Sequence, residues 1–392
     1  MSQLNVDAIR ASNGTGDAIS FTASDKTCTA NITNNLSNRN LIINGAMQVA
    51  QRGASVAWAA NAYLTCDRWQ HHINNSAGRW TAKQTADGPD GFRRCLELDV
   101  TTADTSIAAN EHALIQYKWE GQDVQQLAKG TAGAKKFTVS FYVKGNGNAT
   151  YMCEFFDRTN TRLTRQQFSV TSSWSRVTLT FDNETSNGTL NDDNSHELDM
   201  MIWLHAGSDF TSGTYTANTW AAKTNANRAV GISSLFSSTD NYFRITGVQV
   251  EVGDYATEFE HKSYGKELAL CQRYYEHSYP PGYYPGHNFN ETYTFGTSKP
   301  CAQNYIASDD TTTAISYPLM VTKRGNPTIT IYNANSGASG TAHTYKGTGG
   351  TNTDVALNVI QAGPNMALLG TVLGAVNQAS EMYFHYQADA EL

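Results

Sequence analysis

Apolar and polar residues alternate over most of the chain, which is the pattern of β-strands with one buried face. The alternation is clearest in LELDV (96–100), FTVSFYV (137–143), YMCEF (151–155), VTLTF (177–181) and LDMMIWL (198–204). Between the second and third of these segments, the turn-forming pair Asn146-Gly147 predicts a β-hairpin. Strands of this number, separated by turn signals, predict an all-β fold containing an antiparallel β-sandwich of the jelly-roll type.

Composition divides the chain into parts. All seven tryptophans lie between Trp58 and Trp220, whereas seven of the eight prolines lie from Pro280 onward. This change in composition marks a domain boundary. Further candidate strands follow it, namely PTITIYN, DVALNVIQ, MALLGTVLG and EMYFHYQA, and they predict a second, smaller β domain. We therefore expect an N-terminal arm at 1–39, a jelly-roll domain at 40–262, a short helical neck at 263–279 and a C-terminal β-sandwich tip domain at 280–392.

The boundary segment begins as a strand and continues with helical spacing. The apolar phase switches at Thr246-Gly247, which predicts a β-bulge at the glycine. After a possible cap at Ser263, the residues Leu268, Cys271 and Tyr275 recur at helical spacing. Because so short a helix is marginal alone, this stripe must pack against its own sandwich or against copies from other subunits on a symmetry axis. We predict that Leu268, Cys271 and Tyr275 form an oligomer interface.

The first 39 residues have few large apolar side chains, so this arm could hardly form a core alone. Its apolar residues are spaced as if for short strands. We expect it to be ordered when it pairs with other copies or with a partner protein, and disordered otherwise.

Charge, hydrophobicity and cysteine content limit the classes of function that the sequence predicts. The formal net charge is -7, and the 28 lysines and arginines form no basic run among 35 acids, so no nucleic-acid partner is expected. The start has no basic region followed by an apolar one, and no apolar run is long enough for a membrane helix, so neither export by a signal peptide nor membrane insertion is expected. The six cysteines are widely spaced and predict reduced structural thiols.

Enzyme signatures are missing from the sequence, which contains no GxSxG, HExxH, Walker or strand-linked GxGxxG motif. We therefore expect a non-catalytic protein. An acid pair such as Glu251 and Asp254 still leaves a glycosidase open as an alternative, because the separation of two carboxylates is set by the fold.

Neither a metal nor another cofactor is expected. His71 and His72 are adjacent in a predicted strand and point to opposite faces, so they cannot easily share an ion. The segment NDDNSHELD (191–199) offers oxygen ligands for calcium but lacks the glycine-centred loop of a strong calcium motif. A solvated turn is the simpler interpretation of that segment.

Aromatic residues in polar loops are the most suggestive candidates for a binding site. They cluster in YYEHSYPPGYYPGHNF (274–289) and GTYTANTW (213–220), where exposed rings beside neutral hydrogen-bonding groups would suit sugar recognition. We predict carbohydrate binding by Tyr215, Trp220, Tyr283, Tyr284 and Tyr345. The alternative for these residues is packing at an interface or linker. By contrast, Trp69, Trp119 and Trp203 lie on strand patterns and are expected in the core.

Three blocks of sequence resemble bacteriophage tail-fibre and receptor-binding proteins. They are NLIINGAMQVAQRG (40–53), YLTCDRW (63–69) and ITGVQVEVGDYATEFEHKSYGKELALCQRYYE (245–276). The central part of those proteins looks like a carbohydrate-binding-module jelly roll. The opening LNVDAIRASNGTGDAISF is similar to the start of other phage virion proteins.

The resemblance implies a homotrimeric fibre in the phage tail, assembled in the host cytoplasm. It implies that the N-terminal arm attaches to other tail or baseplate proteins, that the helix forms a neck, and that the β domains bind host surface polysaccharide. Gly45 and Trp69 belong to the shared blocks but look structural. Two alternatives remain open, a structural virion protein such as a capsid decoration or head fibre, and a polysaccharide depolymerase.

Overall fold

The computed structural model describes residues 37–58, 60–289, 312–345, 353–372 and 380–392, together with short strands at 8–10, 17–22, 27–30 and 302–306. Regular structure is almost entirely β in these parts, which confirms the all-β prediction. Within the described part of the chain, no helix is both long and apolar enough to cross a membrane.

The N-terminal arm contributes three short strands, as its spacing predicts. They are β1 (Ala8–Arg10), β2 (Asp17–Thr22) and β3 (Thr27–Ala30). The three strands pair antiparallel in the order β1-β2-β3. They form a sheet separate from the sheets of the two larger domains.

The next thirteen strands build a two-layer antiparallel sandwich. Their bounds are β4 (Ser55–Ala57), β5 (Ala62–Tyr63), β6 (Gln70–Asn74), β7 (Arg79–Thr85), β8 (Cys95–Thr102), β9 (His112–Glu120), β10 (Phe137–Gly145), β11 (Ala149–Asp157), β12 (Arg162–Val170), β13 (Ser175–Phe181), β14 (His196–Ala206), β15 (Ala221–Ala222) and β16 (Tyr242–Val252). One sheet has the order β13-β10-β16-β8-β7-β4, and the other has the order β15-β12-β11-β14-β9-β6-β5. A single-turn helix, α1 (Ser208–Thr211), follows β14.

Trp69, Trp119 and Trp203 are buried, as predicted. Trp69 and Trp119 are fully buried between the two sheets, and the rings of Trp58 and Trp80 stack with centroids 3.9 Å apart. Trp203 is also buried, but it belongs to a second cluster with Phe210 in the segment after β14. Cys66, Cys95, Cys153 and Cys271 are free and buried, and their reduced state stays a prediction.

The predicted bulge in β16 is present. Ser140 of β10 opposes Gln249, whereas Tyr142 opposes Thr246, so the register slips between these pairs. Gly247 lies inside the slip with φ at 62°, a conformation that side-chain-bearing residues rarely adopt. A Cβ atom at this position would also lie 2.7 Å from the ring of Phe92.

The prediction of a hairpin at Asn146-Gly147 is wrong, although the chain does turn there. Strand β10 pairs with β13 and β16, whereas β11 pairs with β12 and β14, so the chain crosses from one sheet to the other between them. Both strands direct apolar side chains into the shared core, where the rings of Phe137 and Phe155 meet with centroids 4.8 Å apart. A turn signal fixes the reversal of direction but does not decide which sheet the second strand joins.

The smaller domain follows helix α2 (Tyr264–Gln272) and is also built from antiparallel strands. Their bounds are β17 (Tyr275–His277), β18 (Ala302–Ile306), β19 (Thr312–Pro318), β20 (Thr328–Asn333), β21 (Thr341–Tyr345), β22 (Thr353–Ala356), β23 (Asn358–Ala362), β24 (Met366–Val372) and β25 (Ser380–Asp389). Strand β25 pairs with β17, β18, β20 and β21, and a second sheet has the order β19-β24-β23. Ile315, Ile331, Leu369 and Phe384 belong to the core of this domain.

The end of the described chain ties the smaller domain to the sandwich. The carboxylate of Glu391 forms ion pairs with Arg68, which is fully buried, and with Arg52 at 3.4 Å. The guanidinium of Arg68 also lies 3.4 Å from the ring centroid of Tyr274, and that of Arg52 lies 3.6 Å from the ring centroid of Tyr275. These contacts connect residues on both sides of helix α2 and thereby fix the junction between the domains.

Candidate functional site

Helix α2 has one face docked on its own sandwich. Ser263 caps the helix by accepting a hydrogen bond from the backbone N–H of Lys266, as its position in the sequence predicts. The buried Glu267 carboxylate accepts from the backbone N–H of Asn44, and Cys271 is fully buried. This face of the helix therefore packs on the sandwich of its own chain.

The predicted stripe does not continue to Tyr275. Helix α2 ends at Gln272, and Tyr275 begins β17, where it pairs with Asp389 of β25. The carbonyl of Tyr274 accepts a hydrogen bond from the backbone N–H of Ala390. The segment after the helix therefore bonds to the strand that ends near Ala390, and these bonds replace those that a further helical turn would form. Cys271 and Tyr275 are buried within the chain, which accounts for their apolar character without another copy. An oligomer contact at Leu268, which is only half-buried, stays a prediction.

A different row of the helix faces a cleft of about 600 Å³ at the junction of the two domains. Tyr264, Leu268 and Gln272 are spaced by four residues and line one wall of this cleft. The other walls come from four places, namely Ala46, Gln48, Ala50 and Gln51 with Gln84; Phe92–Arg94; His277, Tyr279 and Pro281–Tyr284; and Met320. The volume lies in the range usual for small-molecule sites.

Exposed aromatic rings line the cleft from the helix and from the loop after β17. Tyr264 is 56% exposed and Tyr283 is 39% exposed, which is unusual for large rings. Tyr283 packs against Phe289 with ring centroids 5.0 Å apart, so one part of its ring is supported while another part is accessible. Tyr284 is half-buried beside them. The cleft thus offers two ring surfaces held by different elements.

The loop that carries Tyr283 and Tyr284 is held in place by contacts of Tyr279. Tyr279 is buried and stacks on His385 with ring centroids 4.0 Å apart. Its hydroxyl accepts a hydrogen bond from the backbone N–H of Gly286, and its own backbone N–H donates to Nδ1 of His277. Burial lowers the pKa of His277 to about 4, so this imidazole is neutral near pH 7.

Neutral hydrogen-bonding groups lie beside the rings. Gln84 donates to the carbonyls of Met47 and Gln48 at 2.7 and 3.0 Å, which fixes the segment that forms one wall. In the described part of the chain, the side-chain amide of Gln48 and the hydroxyls of Tyr264 and Tyr283 have no hydrogen-bond partner, and these groups are half-buried or exposed. Amides and phenols free in this way can bind the hydroxyls of a ligand.

Two arginines give the cleft a positive side. Arg93 is exposed and Arg94 is half-buried, and both line the cleft beside Phe92. Neither guanidinium forms an ion pair with any acid among the residues described here, unlike Arg52 and Arg68 at the junction below. These two charges can therefore act on a bound molecule.

The predicted sugar-binding residues are divided among separate places. Tyr283 and Tyr284 line the cleft. The hydroxyl of Tyr215 accepts from the backbone N–H of Gln167, and Tyr215 packs on the outer cluster of the seven-stranded sheet. The indole of Trp220 donates to the carbonyl of Asp182 at 2.9 Å and lies under the ammonium of Lys129. Tyr345 ends β21, and its side chain lies outside the described residues.

Packing explains Tyr215 and Trp220 at least as well as recognition does, because both polar groups are already satisfied within the chain. Trp220 is also packed against the sandwich core. Their part in carbohydrate binding stays a prediction. It would need a second surface on the sandwich, separate from the cleft.

The other candidates are occupied by internal contacts. Glu251 is fully buried and accepts from Thr257 and Gln249, whereas Asp254 is exposed, so the two carboxylates do not share a cleft. His71 is buried and accepts from the indole of Trp80, while His72 lies on the opposite face, as predicted.

The acidic segment before β14 forms a turn rather than a closed ligand cage. Asp193 accepts from the backbone N–H of Ser195, and Asp192 is exposed. Asp199 is buried in β14, where it accepts from Gln116 and Arg158. The carboxylates therefore serve different neighbours, which fits the solvated turn.

Sequence reasoning missed much of the cleft, including Tyr264, Arg93, Arg94, Gln48 and Met320. Two signals were available, since Tyr264, Leu268 and Gln272 share a helical row and Gln48 belongs to the first of the three blocks described above. Arg93, Arg94 and Met320 belong to no sequence motif that would have indicated a binding site. They reach the cleft only because the two domains meet there.

Comparisons with known proteins give weak likenesses. No protein-family model matches the sequence, and no curated protein matches it either. Among solved structures, a family 4 carbohydrate-binding module shares 12% identity over 54% of this chain and 98% of its own, with a TM-score of 0.27. A family 11 module of a Clostridium thermocellum cellulase shares 11% identity over 53% of this chain and 100% of its own, with a TM-score of 0.27. The module TmCBM61, solved with β-1,4-galactotriose, shares 7% identity over 55% of this chain and 100% of its own, with a TM-score of 0.28. Scores this low carry no argument about function.

Proposed function

We propose that the chain is a non-catalytic glycan-binding protein and that its binding site is the cleft between the two domains. The observation that carries this proposal is the pair of exposed rings, Tyr264 on helix α2 and Tyr283 on the following loop, in one cleft of about 600 Å³. Ring faces pack on the C–H faces of sugars, and the neighbouring amides and phenols bind sugar hydroxyls.

The positive side of the cleft points to a glycan that carries acidic groups. Arg93 and Arg94 line the cleft without acidic partners in the described part of the chain, and a guanidinium binds carboxylates, sulfates and phosphates in a forked geometry. Each ring contact contributes on the order of 1 kcal/mol, so a single site binds weakly. Several copies on one particle would then bind a cell surface through avidity.

Replacing Tyr264 or Tyr283 by alanine should weaken glycan binding by about fivefold to tenfold each, which corresponds to about 1 kcal/mol per ring. A glycan array of neutral and acidic oligosaccharides would find the best ligand of the full chain, and calorimetry with that ligand would measure the loss. The matched control is Tyr255→Ala, because Tyr255 is 74% exposed and does not line the cleft. Normal binding by both cleft variants at an unchanged Tm would refute this site.

The finer proposal is that this binding attaches a bacteriophage to its host. It is supported by the resemblance of residues 40–53, 63–69 and 245–276 to tail-fibre proteins. In this setting, the chain is a homotrimeric tail protein of the virion whose N-terminal arm joins other tail proteins. Antibody labelling of particles would test the location, and labelling of the head would favour the structural alternative. Release of reducing ends from purified polysaccharide would favour a depolymerase instead.

The second candidate function of the cleft is contact between copies of the chain. Met320 is 59% exposed and lies with Leu268 and Tyr264 in the same cleft, so an apolar surface is accessible there. An interface between subunits would cover these side chains.

Changing Leu268 to aspartate separates the two candidate functions. A charge in a subunit interface should dissociate the trimers, whereas a charge in a glycan cleft should lower binding and leave the oligomeric state unchanged. Native mass spectrometry at micromolar concentration, alongside calorimetry, measures both outcomes. Dissociation with unchanged ligand binding would assign this face to assembly.

A further inference from the structure

Three buried ionisable side chains that are far apart in sequence meet at one end of the sandwich. Asp104 follows β8, Glu111 precedes β9, and His205 lies near the end of β14. They are 6%, 7% and 0% exposed, and one ligand atom from each lies within 4.8 Å of the other two. Among the residues that the structure describes, this is the one group of three such side chains close enough to hold a metal ion.

His205 directs an unpartnered nitrogen into this cluster. Its Nδ1 lies 2.8 Å from the hydroxyl of Ser234, and its Nε2 lies 3.6 Å from Oε2 of Glu111. Among the residues that the structure describes, neither this Nε2 nor this Oε2 has a hydrogen-bond partner. If Nδ1–H donates to Ser234, Nε2 presents its lone pair to the cluster, which is the tautomer that metal-bound histidines adopt.

Asp104 is held in position from the other side. Its Oδ2 accepts from the hydroxyl of Ser76 at 2.8 Å and from the backbone N–H of Ala77 at 2.9 Å. Although burial acts to raise it, these bonds hold the pKa of Asp104 below its usual range. Burial and the nearby Asp104 raise the pKa of Glu111. A cation between the two carboxylates would offset the repulsion between their charges.

We propose that Asp104, Glu111 and His205 bind one divalent transition-metal ion, with Zn²⁺ as the preferred ion. Two carboxylates neutralise its charge, and an imidazole with two carboxylate oxygens is a ligand set that zinc accepts. Movements of roughly 1 Å at the side-chain tips would bring the three atoms to zinc-binding distances. Calcium is disfavoured because it takes six to eight oxygen ligands, and this cluster contains a nitrogen and few free oxygens.

The ion would join the two layers of the sandwich. Asp104 follows a strand of the six-stranded sheet, whereas Glu111 precedes one strand of the seven-stranded sheet and His205 lies near the end of another. Asp104 is also bonded to the connection between β6 and β7. The site is thus placed to stabilise the fold rather than to meet a glycan, since none of its residues lines the junction cleft.

The test uses the untagged full chain after treatment with a chelator. Calorimetry should show one Zn²⁺ per chain, and free Zn²⁺ at about a hundred times its Kd should raise the Tm by about 5 °C or more. Ca²⁺ and Mg²⁺ should have little effect, and excess chelator should reverse the rise. Absence of any Zn²⁺ effect on the wild-type Tm would overturn the proposal and leave a shared proton as the account of the carboxyl pair.

Variants locate the ion. Glu111→Gln and His205→Gln should each abolish the Zn²⁺-dependent rise and the visible absorption of a Co²⁺-substituted protein, while circular dichroism shows the same β content. The matched control is His112→Gln, because His112 stacks with His72 at 5.2 Å and offers an alternative site nearby. Retention of the rise in Glu111→Gln, or its loss in His112→Gln, would contradict the assignment.

Discussion

Replacing Lys323 by methionine should lower the free energy of unfolding by about 3–5 kcal/mol, because it leaves a buried carboxylate without its cation. Lys323 and Glu276 have fully buried side chains, and their charged atoms lie 2.5 Å apart. The carboxylate also accepts from the hydroxyl of Tyr386 at 2.7 Å and from the backbone N–H of Met320 at 2.9 Å. Methionine keeps most of the volume of lysine but supplies no charge. Urea denaturation monitored by fluorescence would measure the loss.

Two further variants test the mechanism of that loss. The double variant Glu276→Gln/Lys323→Met removes both charges and should recover part of the stability, since no ion is then left unpaired. Lys136→Met is the surface control, because Lys136 and its partner Asp182 are both more than half exposed, and it should change stability little. Equal losses from the buried and surface lysines would contradict the proposed cause.

Changing Glu391 to glutamine should destabilise the junction by about 3 kcal/mol, because Arg68 loses its only carboxylate among the described residues. Arg68 is fully buried, and it would keep only a hydrogen bond to the carbonyl of Lys118 at 2.6 Å and its contacts with tyrosine rings. Hydrogen exchange at the backbone amides of β17 and Ala390 should become faster, since these amides lie where the end of the chain returns. Mass spectrometry of exchanged peptides would measure this.

Asp389→Asn is the control for Glu391→Gln. Asp389 also pairs with Arg52, at 3.3 Å, but its side chain is 38% exposed to solvent, so screening weakens the pair. We expect a much smaller change in stability and in exchange. If the two variants behave alike, the burial of Arg68 is not what makes the Glu391 contact strong.

The fold could be predicted where a local pattern decides it. Alternation located β8, β10, β13 and β14, and the phase switch located the bulge at Gly247. Sheet membership could not be predicted at residues 146–148, because the same turn serves a hairpin or a crossing between layers. The end of helix α2 also escaped prediction. The strand that follows it is completed by β25, more than a hundred residues later.

The candidate site shows the same division. Tyr283 and Tyr284 were found because proline and glycine mark their loop as exposed. Tyr264 was not found, since a tyrosine at the first position of a helix carries no local signal of a cleft. Asp104, Glu111 and His205 have no motif spacing at all, and only the meeting of β8, β9 and β14 brings them together. Long-range contacts of this kind are set by packing and not by local sequence.

Strand β25 has a consequence for the order in which the protein forms during synthesis. The sandwich has all its strands once residue 252 has left the ribosome, and domains generally fold as units, the N-terminal ones first. The smaller domain cannot follow the same schedule, because β17, β18, β20 and β21 all pair with a strand at 380–389. Nascent chains that end before residue 380 lack the strand around which this sheet is arranged. Until residue 391 has been made, Arg68 also lacks the Glu391 carboxylate with which it pairs in the described structure.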